Sequence, residues 1–173
     1  MIRCTLDAER APQAVASFVG LATGRSPHRD VDDGRPSFTP LYERRRFFRT
    51  APGIFVQTGC PLDDGTGHPG YRFRPEAHPD DAGRLGPGAL FLAGYTPPPE
   101  RGDPQPLPSE HTLGSQFVIA LTSMRHLAGM TTVLGRCEDL DVAERLARAG
   151  QAGDPPLLER VVIDPPSSEL RTE

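Results

Sequence analysis

The chain is short of the features that would tie it to a membrane, a nucleic acid or a metal. Its 173 residues hold no run of 18 apolar positions, and polar residues interrupt within three positions of Met1. Neither a membrane span nor a signal-peptide h-region is therefore expected. Basic residues are not in excess: 19 Lys and Arg face 23 Asp and Glu, for a net charge of −4. That balance argues against a general nucleic-acid binder, and the run Arg44-Arg45-Arg46 reads as a solvated loop. Cysteine is scarce. Cys4, Cys60 and Cys137 are odd in number, far apart and without a CxxC pair, which predicts free thiols in a reducing, cytoplasmic setting rather than a disulfide framework or a zinc site. The five histidines form no i, i+4 pair, so no metal is expected. Gly65-Thr66-Gly67 lacks a following Gly-Lys-Ser/Thr, which sets nucleotide binding aside. No cofactor is called for.

What is present is the stuff of a loop-rich globular protein, with 18 glycines and 20 prolines in a chain of single-domain length, here taken as 1–173. Ile2 to Leu6 alternates apolar and polar, the period of a half-buried strand. Ala11 to Ala22 carries Val15, Phe18, Val19 and Ala22 on one helical face, with Pro12 suited to the first turn and Gly24 to the stop. Residues 25–40 are polar and rich in turn formers, a loop insertion. Short strands are expected around Arg46–Arg49 and Ile54–Thr58, flanking Pro52-Gly53. Cys60 to Pro87 reads as ordered loop, with a strand near Tyr71–Phe73. Ala89–Ala93, Phe117–Leu121, Thr132–Gly135 and Val161–Ile163 are strand-length apolar runs. Val142 to Ala149 is a short helix with Asp141 as N-cap and Gly150 as stop. Many short strands with two helices indicate a mainly β, closed or nearly closed sheet.

The most informative stretch is Phe47-Phe48-Arg49-Thr50-Ala51-Pro52-Gly53-Ile54-Phe55-Val56-Gln57, followed in order by Gly65-Thr66-Gly67-His68-Pro69-Gly70-Tyr71, Gly114-Ser115-Gln116-Phe117-Val118-Ile119 and His126-Leu127-Ala128-Gly129. With the helix Ala11–Gly24, these segments resemble the cyclophilins, the peptidyl-prolyl cis/trans isomerases, over nearly the whole chain. The resemblance implies a cyclophilin-like antiparallel β-barrel with two capping helices. It also implies Arg49 and Gln57 as catalytic groups. Phe48, Ile54, Phe55, Gln116, Val118, His126 and Leu127 would then be substrate-binding residues. Phe48 stands where the family has His. Ile54 and Val118 stand where its proline pocket has phenylalanines, and Thr131 where a histidine is often found.

The chemistry fits those residue types. Amide resonance sets a barrier of about 18–20 kcal/mol to X-Pro rotation. The twisted transition state has a more basic proline nitrogen, to which a permanently charged, rigid guanidinium can donate a hydrogen bond. A glutamine can hold the neighbouring carbonyl, and an apolar pocket can anchor the ring. No covalent step is required. Each position also has a plainer reading: Arg49 as a surface strand arginine, Gln57 as a strand-edge amide, the apolar residues as core, Cys60 as a packed thiol.

Two departures widen the choice. From Gly94 to Leu113 the family's substrate-gripping loop is replaced by a longer, proline-rich segment, and Pro97–Pro108 suits a polyproline helix able to fold over the cleft. The strand that most members carry before Ile2–Leu6 is not in this sequence: either an edge is open near Ile2–Leu6, or a protein partner fills it, or the true start lies upstream. The expected function is isomerisation of X-Pro bonds in proteins, at full or weakened activity. The alternative is a weakly active or inactive cyclophilin-fold binding module within a larger assembly.

Overall fold

A computed structural model describes residues 1–94 and 113–164. The proline-rich stretch Pro97–Pro108 lies outside the described residues, and with it the reading of that stretch as a polyproline lid.

The strands are β1 (Cys4–Leu6), β2 (His28–Arg29), β3 (Pro36–Ser37), β4 (Arg45–Arg46), β5 (Arg49–Ala51), β6 (Phe55–Thr58), β7 (Ala89–Gly94), β8 (Leu113–Ala120), β9 (Val133–Cys137) and β10 (Leu157–Leu158); the helices are α1 (Pro12–Thr23) and α2 (Leu140–Gln151). Six strands form one antiparallel sheet in the order β1-β9-β7-β8-β6-β5. Among the described residues the sheet does not close on itself, and β1 and β5 are its edges. The expected barrel is thus an open mainly-β sheet with two helices.

Helix α1 starts at Pro12 and ends at Gly24, whose φ of 71° is the left-handed stop that glycine allows. Ala11 offers no capping side chain. The carboxylate of Glu76 does the work from across the fold, accepting the N–H groups of Gln13 at 3.1 Å and Ala14 at 2.7 Å. The buried face of α1 meets one face of the sheet, where Phe18, Tyr42 and Phe117 form a ring cluster with centroids 5.1, 5.3 and 5.4 Å apart. The Tyr42 hydroxyl, fully enclosed, donates to the carbonyl of Ser115 at 3.0 Å, and burial pushes its pKa well up.

Helix α2 begins at Leu140, two residues before the expected start. Asp141 is in its first turn, paired with Arg145 at 2.8 Å, and is not the cap. Gly150 does not end the helix. A Cβ there would stand 2.5 Å from the Thr50 hydroxyl, so glycine serves the close approach of α2 to β5.

Several expectations are corrected. Cys4 and Cys137 are not free thiols: they oppose one another where β1 pairs with β9, and they form a disulfide; Cys60 is the free, buried cysteine. Arg44 is an exposed turn residue as expected, but Arg45 and Arg46 are in a strand, where Arg45 is half-buried and Arg46 stays exposed. They pair with Leu158 and Leu157 as a two-stranded ladder, and Arg45 donates to the Pro61 carbonyl at 2.7 Å. Val161–Ile163 forms no strand; Val161 and Ile163 instead pack on the core. Inside the polar stretch 25–40, β2 and β3 make a small hairpin. Near Tyr71–Phe73 the strand shrinks to one bridge, Phe73 to Leu113.

Candidate active site

β5 and β6 are joined through Ala51-Pro52-Gly53-Ile54, where Gly53 has φ of 71° and the Ile54 N–H bonds the Ala51 carbonyl at 2.9 Å. Helix α2 holds this turn from outside: the Glu144 carboxylate accepts the Gly53 N–H at 2.7 Å. That bond first, and the Arg148 guanidinium beside it second, hold the Glu144 carboxyl below its usual range. The register of the hairpin sets Arg49 opposite Gln57, and the next ladder sets Gln57 opposite Val118. Paired residues of antiparallel strands project from the same face. Arg49, Gln57 and Val118 therefore form one row across three strands.

The Arg49 guanidinium carbon sits 5.2 Å from the centre of the Phe55 ring, on which it stacks as a cation on an aromatic face. No carboxylate among the described residues pairs with Arg49. Gln57 is almost wholly buried. It donates through Nε2 to Oε1 of Gln116 at 3.0 Å, and Gln116 donates in turn to the carbonyls of Gly65 at 2.9 Å and Gly67 at 3.0 Å. The two carbonyl acceptors fix the orientation of the Gln116 amide, and that fixes Gln57. Among the described residues, one N–H and the Oε1 of Gln57 have no further partner.

The loop that receives Gln116 is built around Cys60. Its sulfur accepts the N–H groups of Gly65 at 3.3 Å and Gly67 at 3.2 Å. Phe48 covers this loop: a Cβ at Gly65 would stand 3.0 Å from its ring. His68 follows, with Nδ1 accepting the Gly70 N–H at 3.1 Å; burial, then the nearby Arg72 and Arg29, hold its pKa below the ordinary histidine value.

Beside the row lies an apolar cluster separate from the main core. Leu85, Ala89, Phe91, Val118, Ala120, Met124 and Val133 are its buried part; Phe55, Ala93, Leu127 and Ala128 are half-exposed around it. Leu127 comes from the short turn Arg125–Leu127, and the following segment is fastened by Thr131, whose hydroxyl donates to the Leu92 carbonyl.

The structure thus brings together Arg49, Phe55, Gln57, Gln116, Val118 and Leu127. Phe48 is one step removed, over the Gly65 loop. Ile54 is 46% exposed at the hairpin turn and lies outside the apolar cluster; His126 is exposed. Sequence reasoning missed Phe91. Ala89–Ala93 is apolar at every position, so no alternation showed which residues face the site.

A separate recess of about 610 Å³ lies across the sheet, against β1 and β9, lined by Thr5 to Glu9, Arg84 and Arg136 among others. None of the predicted site residues reaches it.

Residues 1–165 match the family model of the cyclophilin type peptidyl-prolyl cis-trans isomerase/CLD. The chain is 32% identical over 171 residues to a peptidyl-prolyl cis-trans isomerase A of Mycobacterium tuberculosis, covering 94% of this chain and 86% of that one. It is 35% identical over 125 residues to the peptidyl-prolyl cis-trans isomerase B of Streptomyces anulatus, covering 72% of this chain and 63% of the relative. Among solved structures, a Cryptosporidium parvum cyclophilin crystallised in the presence of the dipeptide Ala-Pro superposes with a TM-score of 0.67 over 95% of this chain and 92% of that one; at 20% identity this is likeness of fold. The chain belongs to the cyclophilin-type peptidyl-prolyl cis-trans isomerase family.

Proposed function

We propose that this isomerase acts on X-Pro bonds of peptides and proteins through Arg49, with Gln57 as the second polar contact and the Phe55–Val118–Leu127 cluster as the proline pocket. The observation that carries the reading is the placement of Arg49: opposite Gln57, stacked on Phe55 and without a carboxylate partner among the described residues. A guanidinium committed to an ion pair would have fewer N–H groups to offer. This one can donate to the proline nitrogen as it becomes basic in the twisted state, a contact that strengthens only as the transition state forms. Gln57, oriented by Gln116, holds the carbonyl before proline. Phe48, Ile54 and His126 stand at the margin, where residues flanking the proline would pass.

The family match over residues 1–165 supports reading 1–173 as one domain. No described helix is long and apolar enough to cross a membrane. The cytoplasmic placement rested on free thiols and on the lack of an apolar leader or span in the sequence; the Cys4–Cys137 bond removes the first ground and fits an oxidising compartment better.

The test is cis/trans exchange on a short Ala-Pro peptide. Wild type is expected to accelerate exchange and Arg49→Ala to abolish the acceleration. Folded wild type that accelerates none of several X-Pro peptides would favour the binding-module reading. The outer side of β1, unpaired among the described strands, supports a place there for an added strand. A purified chain that runs at single-chain mass, and whose Ile2–Leu6 amides gain no hydrogen-exchange protection from added strand peptides, would remove it.

A further inference from the structure

The resemblance left the proline pocket short of two aromatic rings, at Ile54 and Val118. A ring stands beside one of these positions, on another strand. Phe91 on β7 is the Cα partner of Val118 on β8 and of Val133 on β9. Side chains paired in this way share a face, with Cβ atoms about 4.5–5.5 Å apart. The row that begins at Arg49 and passes through Gln57 and Val118 therefore continues to Phe91. Phe91 is 4% exposed and Val118 5% exposed, and both belong to the cluster that Phe55 and Leu127 rim. On the same face of β7 the neighbours of Phe91 are Ala89 and Ala93, so its ring is the only large side chain that strand contributes there.

We propose that Phe91 is a positioning residue for the substrate proline: its ring, packed against Val118 from the neighbouring strand, sets the depth of the proline pocket. This rests on the isomerase reading given above. The physical reason is volume. A valine at 118 leaves space between β8 and β7 that the Phe91 ring fills, and interiors close-pack to the point that one methylene is felt. Positions 91 and 118 act as one volume shared by two strands. Enlarging one without shrinking the other overpacks the floor, and shrinking one alone lets the proline ring sink and lose its alignment with Arg49.

The test exchanges the two residues. Phe91→Val, Val118→Phe and the double variant carrying both are compared for thermal unfolding and for kcat and KM on an Ala-Pro peptide, with Phe91→Leu as the milder variant should Phe91→Val not fold. Phe91→Val is expected to lower kcat about tenfold, since a proline ring that has sunk is no longer aligned with Arg49 as the bond twists. Val118→Phe, crowded against Phe91, is expected to lose both thermal stability and kcat/KM. The double variant, which conserves total volume, is expected to return kcat/KM to within about threefold of wild type. The proposal falls if the single losses simply multiply in the double variant. It falls equally if Phe91→Val, or Phe91→Leu, melts earlier with kcat and KM unchanged. A wild type that accelerates no X-Pro peptide removes the isomerase reading and this inference together, whereas an active wild type with multiplicative single losses removes this inference alone.

Discussion

On one face of the six-stranded sheet, Phe18, Tyr42 and Phe117 meet ring to ring, and the single hydroxyl among them is satisfied by the Ser115 carbonyl. On the other face the same strands carry Val118, Ala120 and Phe91 next to two nearly buried amides, Gln57 and Gln116. Residues 117 and 118 are chain neighbours with opposite duties, because successive side chains of a strand point to opposite faces. The first face buries large rings and satisfies the Tyr42 hydroxyl. The second keeps polar donors inside, orients them through a relay of hydrogen bonds, and leaves some of their capacity unspent. A sheet that is apolar on both sides can thus be stabilised from one side and made chemically useful on the other.

That contrast can be broken in order of size. Phe117→Ala removes a ring from the aromatic trio and is expected to cost about 3–5 kcal/mol of stability, read by denaturant unfolding; any surviving folded protein should retain its kcat. Arg49→Lys is the mirror experiment. It keeps the charge but loses the planar fork, and about 10²–10³ in kcat is expected to go with the melting temperature unmoved. Should both variants lose stability and activity alike, the division between the faces is wrong.

Gln116→Leu probes the place where the two duties meet. It leaves the Gly65 carbonyl and one Gln57 N–H without this partner, and the Gly67 carbonyl with only the long contact from the Cys60 thiol, a cost of about 1–3 kcal/mol. It also frees Gln57 to rotate, so KM should rise. Stability loss with unaltered kinetics would show that Gln57 is held by something else.

The smallest effect is a pH slope. Burial lowers the pKa of His68, and burial likewise lowers that of His28. Above about pH 6.5 neither state of these groups is charged and they contribute nothing to the slope. As pH falls below that value the unfolded chain takes up protons that the native histidines refuse, so stability declines until the native pKa is passed. Thermal unfolding should therefore fall between pH 7 and pH 5. His68→Asn keeps an acceptor for the Gly70 N–H without a titrating ring, and should flatten the slope while kcat stays level.

The parts of this molecule legible in the sequence were those fixed by neighbours along the chain. Helix α1 announces itself by its apolar spacing, Pro12 and Gly24. The turn of the β5–β6 hairpin announces itself by Pro52-Gly53, although its first strand is Arg49–Ala51 and not the expected Arg46–Arg49. What stayed hidden depends on pairing across long stretches. Cys4 and Cys137 look unrelated until β1 lies against β9. Arg45-Arg46 looks like solvated charge until Leu157-Leu158 arrives to pair with it. The N-terminus of α1 has no cap of its own because Glu76 comes from elsewhere to supply one. Phe91 was masked for a different reason: a run apolar on both faces carries no period to read.

The bond between Cys4 and Cys137 joins positions 133 residues apart, and so makes most of the chain a covalent ring. A protease that cuts any one peptide bond within that ring opens it without releasing a piece. The nicked protein would keep its mass in a non-reducing gel and fall into two bands only once the sulfur bridge is reduced. Within the ring lie the hairpin of Arg49, the amide relay of Gln57 and Gln116, and the turn of Leu127, so one scission leaves the parts of the site tethered to each other as a single molecule.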